Sequence, residues 1–419
     1  MPITPLPIDT SRRIGSSLNI TSAAIVLKEL VDNALDSGAQ WVHINVSPNT
    51  VDKIEVKDNG SGIPSVDFDA LGRPSHTSKL NSFEALDKIG GRSLGFRGTA
   101  LASINNLANV QVVTRAGDET PQIVRLACKG GVEFQSVHAA EQGTIVTVTN
   151  VFSNYPVRER IAKKPAQILR TLNKMRELVQ AYALARHPLR IHFSVLQNPN
   201  QSLKISPRPE KDIMETVVQI FGVQKASQCF FRMWPYGVDP NTVLSEKDSG
   251  RRHLFEAILM RPDADYDRLP RGVFFSVDSR PISPTRGTGR KLAAAFRECL
   301  KKSGCPLASK GVPKDIFIRV NIRCAVGWYD VNIEPAKEDV LFLQEDRLIA
   351  DFETFLRTVY PVVSDDPKQP AWITGLMYKK STTQRDLTAH TLQATTQNMW
   401  RPIYIRYSQN EAEGPLMTK

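Results

Sequence analysis

Residues 27–36, LKELVDNALD, place a carboxylate and a side-chain amide one helical turn apart. At the helical angle of about 100° per residue, Leu27, Leu30, Val31, Ala34 and Leu35 share one arc. Glu29, Asp32, Asn33 and Asp36 share the opposite one. An acidic arc of this kind is either a solvated helix face or a site of chemistry. The chemistry would be specific: Glu29 beside Asn33 could orient a water and hold Mg2+, which takes oxygen ligands and keeps waters of its own. Lys28 is the one basic residue in the stretch, and Gly38 supplies a helix stop.

A second candidate finishes a predicted strand over 53–58, in which Ile54, Val56 and Asp58 face one way. Asn59, Gly60, Ser61 and Gly62 follow. They read as a tight turn, or as a site where the Asp58 carboxylate accepts a hydrogen bond from an exocyclic amine such as adenine's. Gly60 and Gly62 would then admit close approach of backbone and ligand. A third candidate, residues 90–98 (GGRSLGFRG), carries four glycines and two arginines and runs into a predicted helix over 99–107. Such a turn is a mobile surface loop, or it offers unpaired N–H groups and a helix dipole to an anion. Neither G-x-x-x-x-G-K-[ST] nor G-x-G-x-x-G occurs, which argues against a P-loop and a dinucleotide fingerprint.

These residues need a frame, and the periodicities predict an α/β one. A helix is expected over 22–37, strands over 42–46, 53–58 and 144–151, and a long helix over 165–185 with Leu172, Met175, Val179 and Tyr182 at core spacing. The polar run 198–206 (NPNQSLKIS) suits a domain boundary. Beyond it a second α/β unit carries strands over 272–277 and 316–322 and an amphipathic helix over 291–302. After residue 361 the texture changes, and 381–398, rich in Ser, Thr and Gln, reads as linker or tail. The expected division is therefore 1–200, 206–360 and 361–419.

Composition agrees with sizeable cores: 41% of the 419 residues are apolar and 23% are charged. The apolar runs fall far short of the ~20 residues needed to cross a bilayer, and no secretory pattern opens the chain. A soluble intracellular protein with no membrane contact is expected. Cys128, Cys229, Cys299, Cys305 and Cys324 contain no C-x-x-C pair and fit neither a disulfide framework nor a structural zinc site.

The three candidates, in this order, resemble the ATPase motifs of the gyrase, Hsp90, histidine-kinase and MutL superfamily. Further strings narrow the resemblance to the MutL mismatch-repair family over about residues 8–360: His76-Thr77-Ser78-Lys79, Gly95-Phe96-Arg97-Gly98, Gly143-Thr144, Phe275-Ser276-Val277-Asp278-Ser279-Arg280-Pro281 and Asp330-Val331-Asn332-Ile333-Glu334-Pro335-Ala336-Lys337. The resemblance implies a GHKL-type ATP-binding domain, an α+β sandwich, followed by a second α/β domain of ribosomal-S5-like fold. It implies ATP and Mg2+ as cofactors, Glu29 as general base for the hydrolytic water and Asn33 as Mg2+ ligand. Asp58 and Thr144 would read adenine beside Gly60 and Gly62. Gly95, Phe96, Arg97 and Gly98 would cover the phosphates as part of a lid flanked by Thr77, Ser78 and Lys79. Lys337 would reach the γ-phosphate from the second domain.

Two positions depart from the family pattern. Thr99 stands where an acid is usual, and residues 14–20 (IGSSLNI) stand where many members have Ala-Gly-Glu-Val. The latter, with 151–160 (VFSNYPVRER), resembles eukaryotic PMS-type accessory paralogues. The implied protein acts in the nucleus as an ATP-driven clamp on DNA, paired with another MutL-family subunit as a heterodimer and working with a mismatch-recognition MutS-type complex. The alternative is a nucleotide-gated DNA-binding scaffold with little hydrolysis of its own. An Hsp90-like chaperone shares the ATP motifs but not the strings around Lys337. Residues 137–141 (VHAAE) lack the flanking acids of a MutL endonuclease metal motif, so no nuclease site is expected.

The net charge of +11 favours polyanionic partners. Residues 155–190 hold nine Lys/Arg against two acids, and 280–302 hold seven against one, with Arg290, Arg297 and Lys301 on one helix face. Runs of this kind are either solvated faces or phosphate-backbone contacts, which are salt-sensitive and blind to sequence.

Overall fold

The computed structural model describes residues 3–80, 82, 89–235, 253–303, 311–334 and 337–361. Cys305, Pro335, Ala336 and the expected tail from 362 onward lie outside the described residues.

Helix α1 (Ile8–Asn19) leads into α2 (Ala23–Asp36), which closes at Ser37 and at Gly38 in the left-handed region. The strands that follow build one eight-stranded sheet in the order β5-β4-β3-β6-β2-β1-β7-β8. Its members are β1 (Trp41–Val46), β2 (Lys53–Asp58), β3 (Asn109–Arg115), β4 (Gln122–Leu126), β5 (Val132–Val137), β6 (Gly143–Thr149), β7 (Arg190–Val195) and β8 (Leu203–Ile205). The β1–β7 pair is parallel, and the other ladders are antiparallel. Period-2 alternation sends Val42, Ile44, Val46, Ile54 and Val56 to one face, where they meet α2 and the long helix α5 (Pro165–Ala185). Helix α3 (Ala100–Leu107) and the short α4 (Pro156–Ala162) complete this half. The polar run 198–206 is not a bare connector: Leu203–Ile205 pairs with β7 as the edge strand.

A second sheet follows in the order β12-β11-β13-β10-β9, from β9 (Cys229–Trp234), β10 (His253–Met260), β11 (Val273–Val277), β12 (Arg280–Ile282) and β13 (Ile318–Cys324). Helices α6 (Ile213–Phe221), α7 (Val223–Ala226), α8 (Gly287–Lys302) and α9 (Glu345–Val359) accompany it, with a small ribbon of β14 (Tyr329–Asp330) and β15 (Leu341–Phe342). Its core is aromatic: Phe255, Phe275, Phe296, Phe352 and Phe355 are buried together. Each fully buried ring is worth roughly 2–3 kcal/mol of transfer free energy. Ile89, just before the glycine-rich loop, and Phe96 within it belong to this same core, so the described residues form one compact unit. Among the described residues no single helix is long and apolar enough to cross a membrane.

Candidate functional site

Helix α2 differs from an amphipathic surface helix. Every residue from Ala23 to Asp32 is buried, acids included. Buried charge is tolerable only when paired, and the partners come from outside the stretch. Lys28 Nζ lies 2.9 Å from Asp32 Oδ2, and Asp32 also accepts a short hydrogen bond from the Tyr182 hydroxyl of α5. Burial alone would lower the pKa of Lys28, but Asp32 and Glu29 outweigh it and hold the ammonium above its ordinary value. Burial would likewise raise the pKa of Asp32, yet Lys28 and Lys337 keep it below the usual carboxylate range. The expected solvated alternative for this face therefore fails.

Glu29 points instead into a cavity of about 810 Å³, walled by α2, the ends of β2 and β6, residues 61–79 and the glycine loop. Asn33, Asp58, Gly62, Thr77, Ser78, Lys79, Gly95, Phe96, Arg97, Gly98, Thr144 and Lys337 share its wall with Glu29. Gly60 does not line it; its N–H donates to Asp58 Oδ1 at 2.8 Å and so fixes the carboxylate. The volume lies within the range of small-molecule sites.

At one end, Asp58 and Thr144 are direct cross-strand partners. Burial pushes the Asp58 carboxyl up to about 6, against hydrogen bonds from the Gly60 and Thr144 backbones and the Ser37 hydroxyl that favour the ion. Thr144 Oγ1 lies 3.3 Å from Thr114 Oγ1. Gly62 is obligatory here: at φ 75°, a Cβ would stand 2.0 Å from the Arg115 carbonyl oxygen. This end is an acceptor in an apolar cleft, suited to an amino-bearing ring.

At the other end, Lys337 Nζ lies 2.8 Å from Glu29 Oε2, both side chains almost wholly buried. Lys337 holds this position with a left-handed backbone (φ 53°), which a non-glycine residue adopts only under constraint. Asn33 Oδ1 accepts from Lys79 Nζ at 3.1 Å, so this oxygen already faces a cation inside the cavity. That fits a Mg2+ held by one protein oxygen together with phosphates and waters. Among the described residues no three His, Cys, Asp or Glu gather as a metal cage. Arg97 reaches the Asn332 side-chain oxygen at 3.0 and 2.8 Å and lies over the Phe96 ring. The Phe96 ring itself is 3% exposed and packs into the second core, so it anchors the loop.

Residue pattern alone missed two organisers of this end. Asp36 collects Lys79 Nζ (2.7 Å), Ser93 Oγ (2.8 Å) and the N–H groups of Leu94 and Gly95 (2.8 Å each), folding the glycine loop onto α2. Its place at i+7 from Glu29 was a usable signal. By sequence Arg280 opens the basic run 280–302, expected as a solvated or phosphate-binding face. The structure corrects this: Arg280 is 3% exposed, and its guanidinium donates to the Leu94 carbonyl at 3.0 Å and the Ser93 carbonyl at 2.5 Å. Its Nε is buried without a hydrogen-bond partner among the described residues. No local pattern betrays that role.

The basic clusters thin out likewise. Arg158 and Arg186 donate to the Ser17 and Ser279 carbonyls, and Lys291, Lys301 and Lys302 pair with Glu345 or Glu298. Arg160, Lys164, Arg170 and Arg290 stay exposed.

Residues 20–150 match the family model of histidine kinase-, DNA gyrase B- and HSP90-like ATPases. Over 85% of its length the chain is 28% identical to the DNA mismatch repair protein pms1 of Schizosaccharomyces pombe, covering 41% of that protein. Over 81% of its length it is 30% identical to the DNA mismatch repair protein MutL of Desulforudis audaxviator, covering 54% of it. Over most of its length the chain is similar to MutL/PMS mismatch-repair proteins. It is also 28% identical to PMS1 protein homolog 1 of Homo sapiens, of which it covers 36%. The chain spans about a third to a half of the length of these relatives. In fold it is similar to a solved N-terminal domain of a DNA repair protein, with a TM-score of 0.63 at 21% identity, covering 83% of this chain and 97% of that one. The stretch that matches the ATPase model, residues 20–150, supplies all of the cavity wall except Asn19 and Lys337.

Proposed function

We propose that this chain is a MutL/PMS-type protein that binds ATP with Mg2+ in the cavity, hydrolyses it slowly, and uses the cycle to close on DNA. One observation carries the reading: Glu29, Asn33, Asp58 and Lys337 border a single cavity, with an amino-group acceptor at one end and a buried Glu–Lys pair at the other. Asp58 and Thr144 hold the adenine. Gly95, Arg97 and Gly98 meet the phosphates, with Thr77, Ser78 and Lys79 beside them. Asn33 would hold Mg2+, which would supply neutralisation of the phosphate charge. Glu29 orients a water on the γ-phosphate and takes its proton as the terminal P–O bond breaks.

Lys337 is the sensor in this scheme. Without nucleotide it neutralises Glu29, and a γ-phosphate offers it a stronger anionic partner. Its departure frees Glu29 to act on water and pulls residues around 330–340 toward the nucleotide. Residues 1–200 and 206–360 then act as two bodies whose relation ATP resets. The exposed Leu6, Ile14 and Leu18 at α1 supply an apolar surface for pairing with another MutL-family subunit. Arg160, Lys164, Arg170 and Arg290 supply phosphate-backbone contacts. The work is in the nucleus, beside a mismatch-recognition MutS-type complex.

The Glu29–Lys337 pair also favours a second reading, a nucleotide-gated scaffold that hydrolyses little because its base stays neutralised. Steady-state phosphate release from the pure chain separates the two. In the leading reading release is slow but measurable and is abolished in Glu29→Ala, while ATP binding persists. Release from Glu29→Ala at the parent rate would remove Glu29 as the base.

A further inference from the structure

The first sheet has a second side, turned away from α2, α5 and the cavity. Pairing register lines up Lys204, His192, His43 and Lys57 as direct neighbours across β8, β7, β1 and β2. One step along, Trp41 pairs with Arg190. The Trp41 and His43 ring centres lie 4.5 Å apart, the His43 and His192 rings meet edge to face at 5.6 Å, and Lys57 Nζ sits 5.6 Å from the Trp41 ring. Arg190, His192, His43 and Lys204 are exposed.

Ring contacts hold Trp41, His43 and His192 together, but the cations beside them gain little from folding. Like charges opposed across strands destabilise a sheet. Among the described residues Glu141, itself 82% exposed, lies 3.7 Å from Lys57, while Glu55, two residues along β2 on the same face, is already engaged by Lys53, Asn45 and Thr147. No acid pairs with Arg190 or Lys204 among the described residues. Partial burial lowers the pKa of His43, and His192, Lys57, Lys204 and Arg190 push it further down from both flanking strands and the edge. A polyanion laid across the strands would relieve that repulsion. At about 4.8 Å between strands the row is about 14 Å long, enough for more than one nucleotide.

We propose that this face is a stacking platform for single-stranded nucleic acid, with bases on Trp41, His43 and His192 and phosphates on Lys57, Lys204 and Arg190. Accessible rings interleaved with cations suit unpaired bases, whose faces are open. Duplex bases keep their faces inside the stack and cannot meet a flat sheet. The platform is distinct from the helical cations of α4, α5 and α8 and from the ATP cavity.

Fluorescence anisotropy with a labelled 20-nucleotide oligo(dT), a duplex of the same length and heparin tests this on the whole chain. His43→Ala/His192→Ala should weaken oligo(dT) binding roughly tenfold or more, about the worth of one stacked base. Duplex and heparin binding should stay within about twofold, and ATP affinity should be unchanged. Lys57→Gln/Lys204→Gln should also flatten the salt dependence of oligo(dT) binding. Should the alanine pair fail to fold, His192→Ala alone carries the same readout. Oligo(dT) affinity within twofold of the parent in folded variants overturns the platform. Equal weakening of oligo(dT) and heparin overturns stacking, leaving charge alone. Arg170→Glu should weaken the duplex and spare oligo(dT), so the two DNA surfaces fail separately.

Discussion

At the proposed adenine end of the cavity, Asp58 and Thr144 face each other across adjacent strands, and a turn two residues on supplies the N–H that fixes the carboxylate. At the proposed phosphate end, Glu29 meets Lys337, 308 positions away in sequence, and the glycine loop is gripped by Asp36 on one side and Arg280 on the other. The first arrangement belongs to one sheet and exists whenever that sheet folds. The second exists only while the aromatic core of the second sheet holds Ile89 and Phe96. In the proposed function, recognition is therefore local and chemistry is assembled. That division suits a machine whose nucleotide reports on the relation between two halves.

The comparison predicts that damage at the two ends will read differently. The largest effect is at the assembled end: Glu29→Gln should cost about 10²–10⁴ in turnover, the usual worth of a general base, with ATP affinity within a few-fold of the parent. Steady-state rates beside equilibrium titration measure both. A comparable fall in affinity would mean that the ends are not separable.

At the local end, Asp58→Ala should weaken ATP by roughly 10–100-fold, the worth of a hydrogen bond to a charged group, while turnover at saturating ATP changes little. The carboxylate form accepts the amino hydrogen, and burial places its ionisation near pH 6. ATP affinity should therefore drop as pH falls through about 6, and Asp58→Asn should lose that inflection.

Arg280 sharpens the contrast. As a positioning residue for the Ser93 and Leu94 carbonyls, its replacement by Ala should lower turnover roughly tenfold more than affinity. Arg280→Lys, which still reaches one carbonyl, should recover part of the loss. If Arg280→Ala lowers melting temperature while leaving the ratio of turnover to affinity intact, the residue supports the core only.

The smallest effect concerns stability. A carboxyl whose folded pKa is raised favours the fold below its unfolded value near 4 and loses that contribution as pH rises through about 6. At pH 7 the unliganded protein thus carries an unfavourable ion. Asp58→Asn should stabilise it by about 1–2 kcal/mol in denaturant melts, with the gain shrinking below pH 6.

What was legible in the sequence follows the same division. The apolar spacing of α2 and α5 and the alternation of β2 were readable because each depends on neighbours a few residues away. So were Asp58 and the turn after it. The burial of the acidic arc of α2 was not readable, since Lys79, Tyr182 and Lys337 arrive from distant segments. Arg280 looked like any surface cation, because only the packing of β12 against the glycine loop turns it inward. The edge strand Leu203–Ile205 hid in a polar run because a sheet edge needs backbone pairing more than apolar side chains.

A crystal structure of the chain with Mg2+ and a non-hydrolysable ATP analogue tests the central claim most directly. The account predicts the adenine amino group within hydrogen-bond distance of Asp58 and Lys337 Nζ moved from Glu29 to the terminal phosphate. A nucleotide bound elsewhere, or a terminal phosphate beside a Lys337 still paired with Glu29, would contradict it.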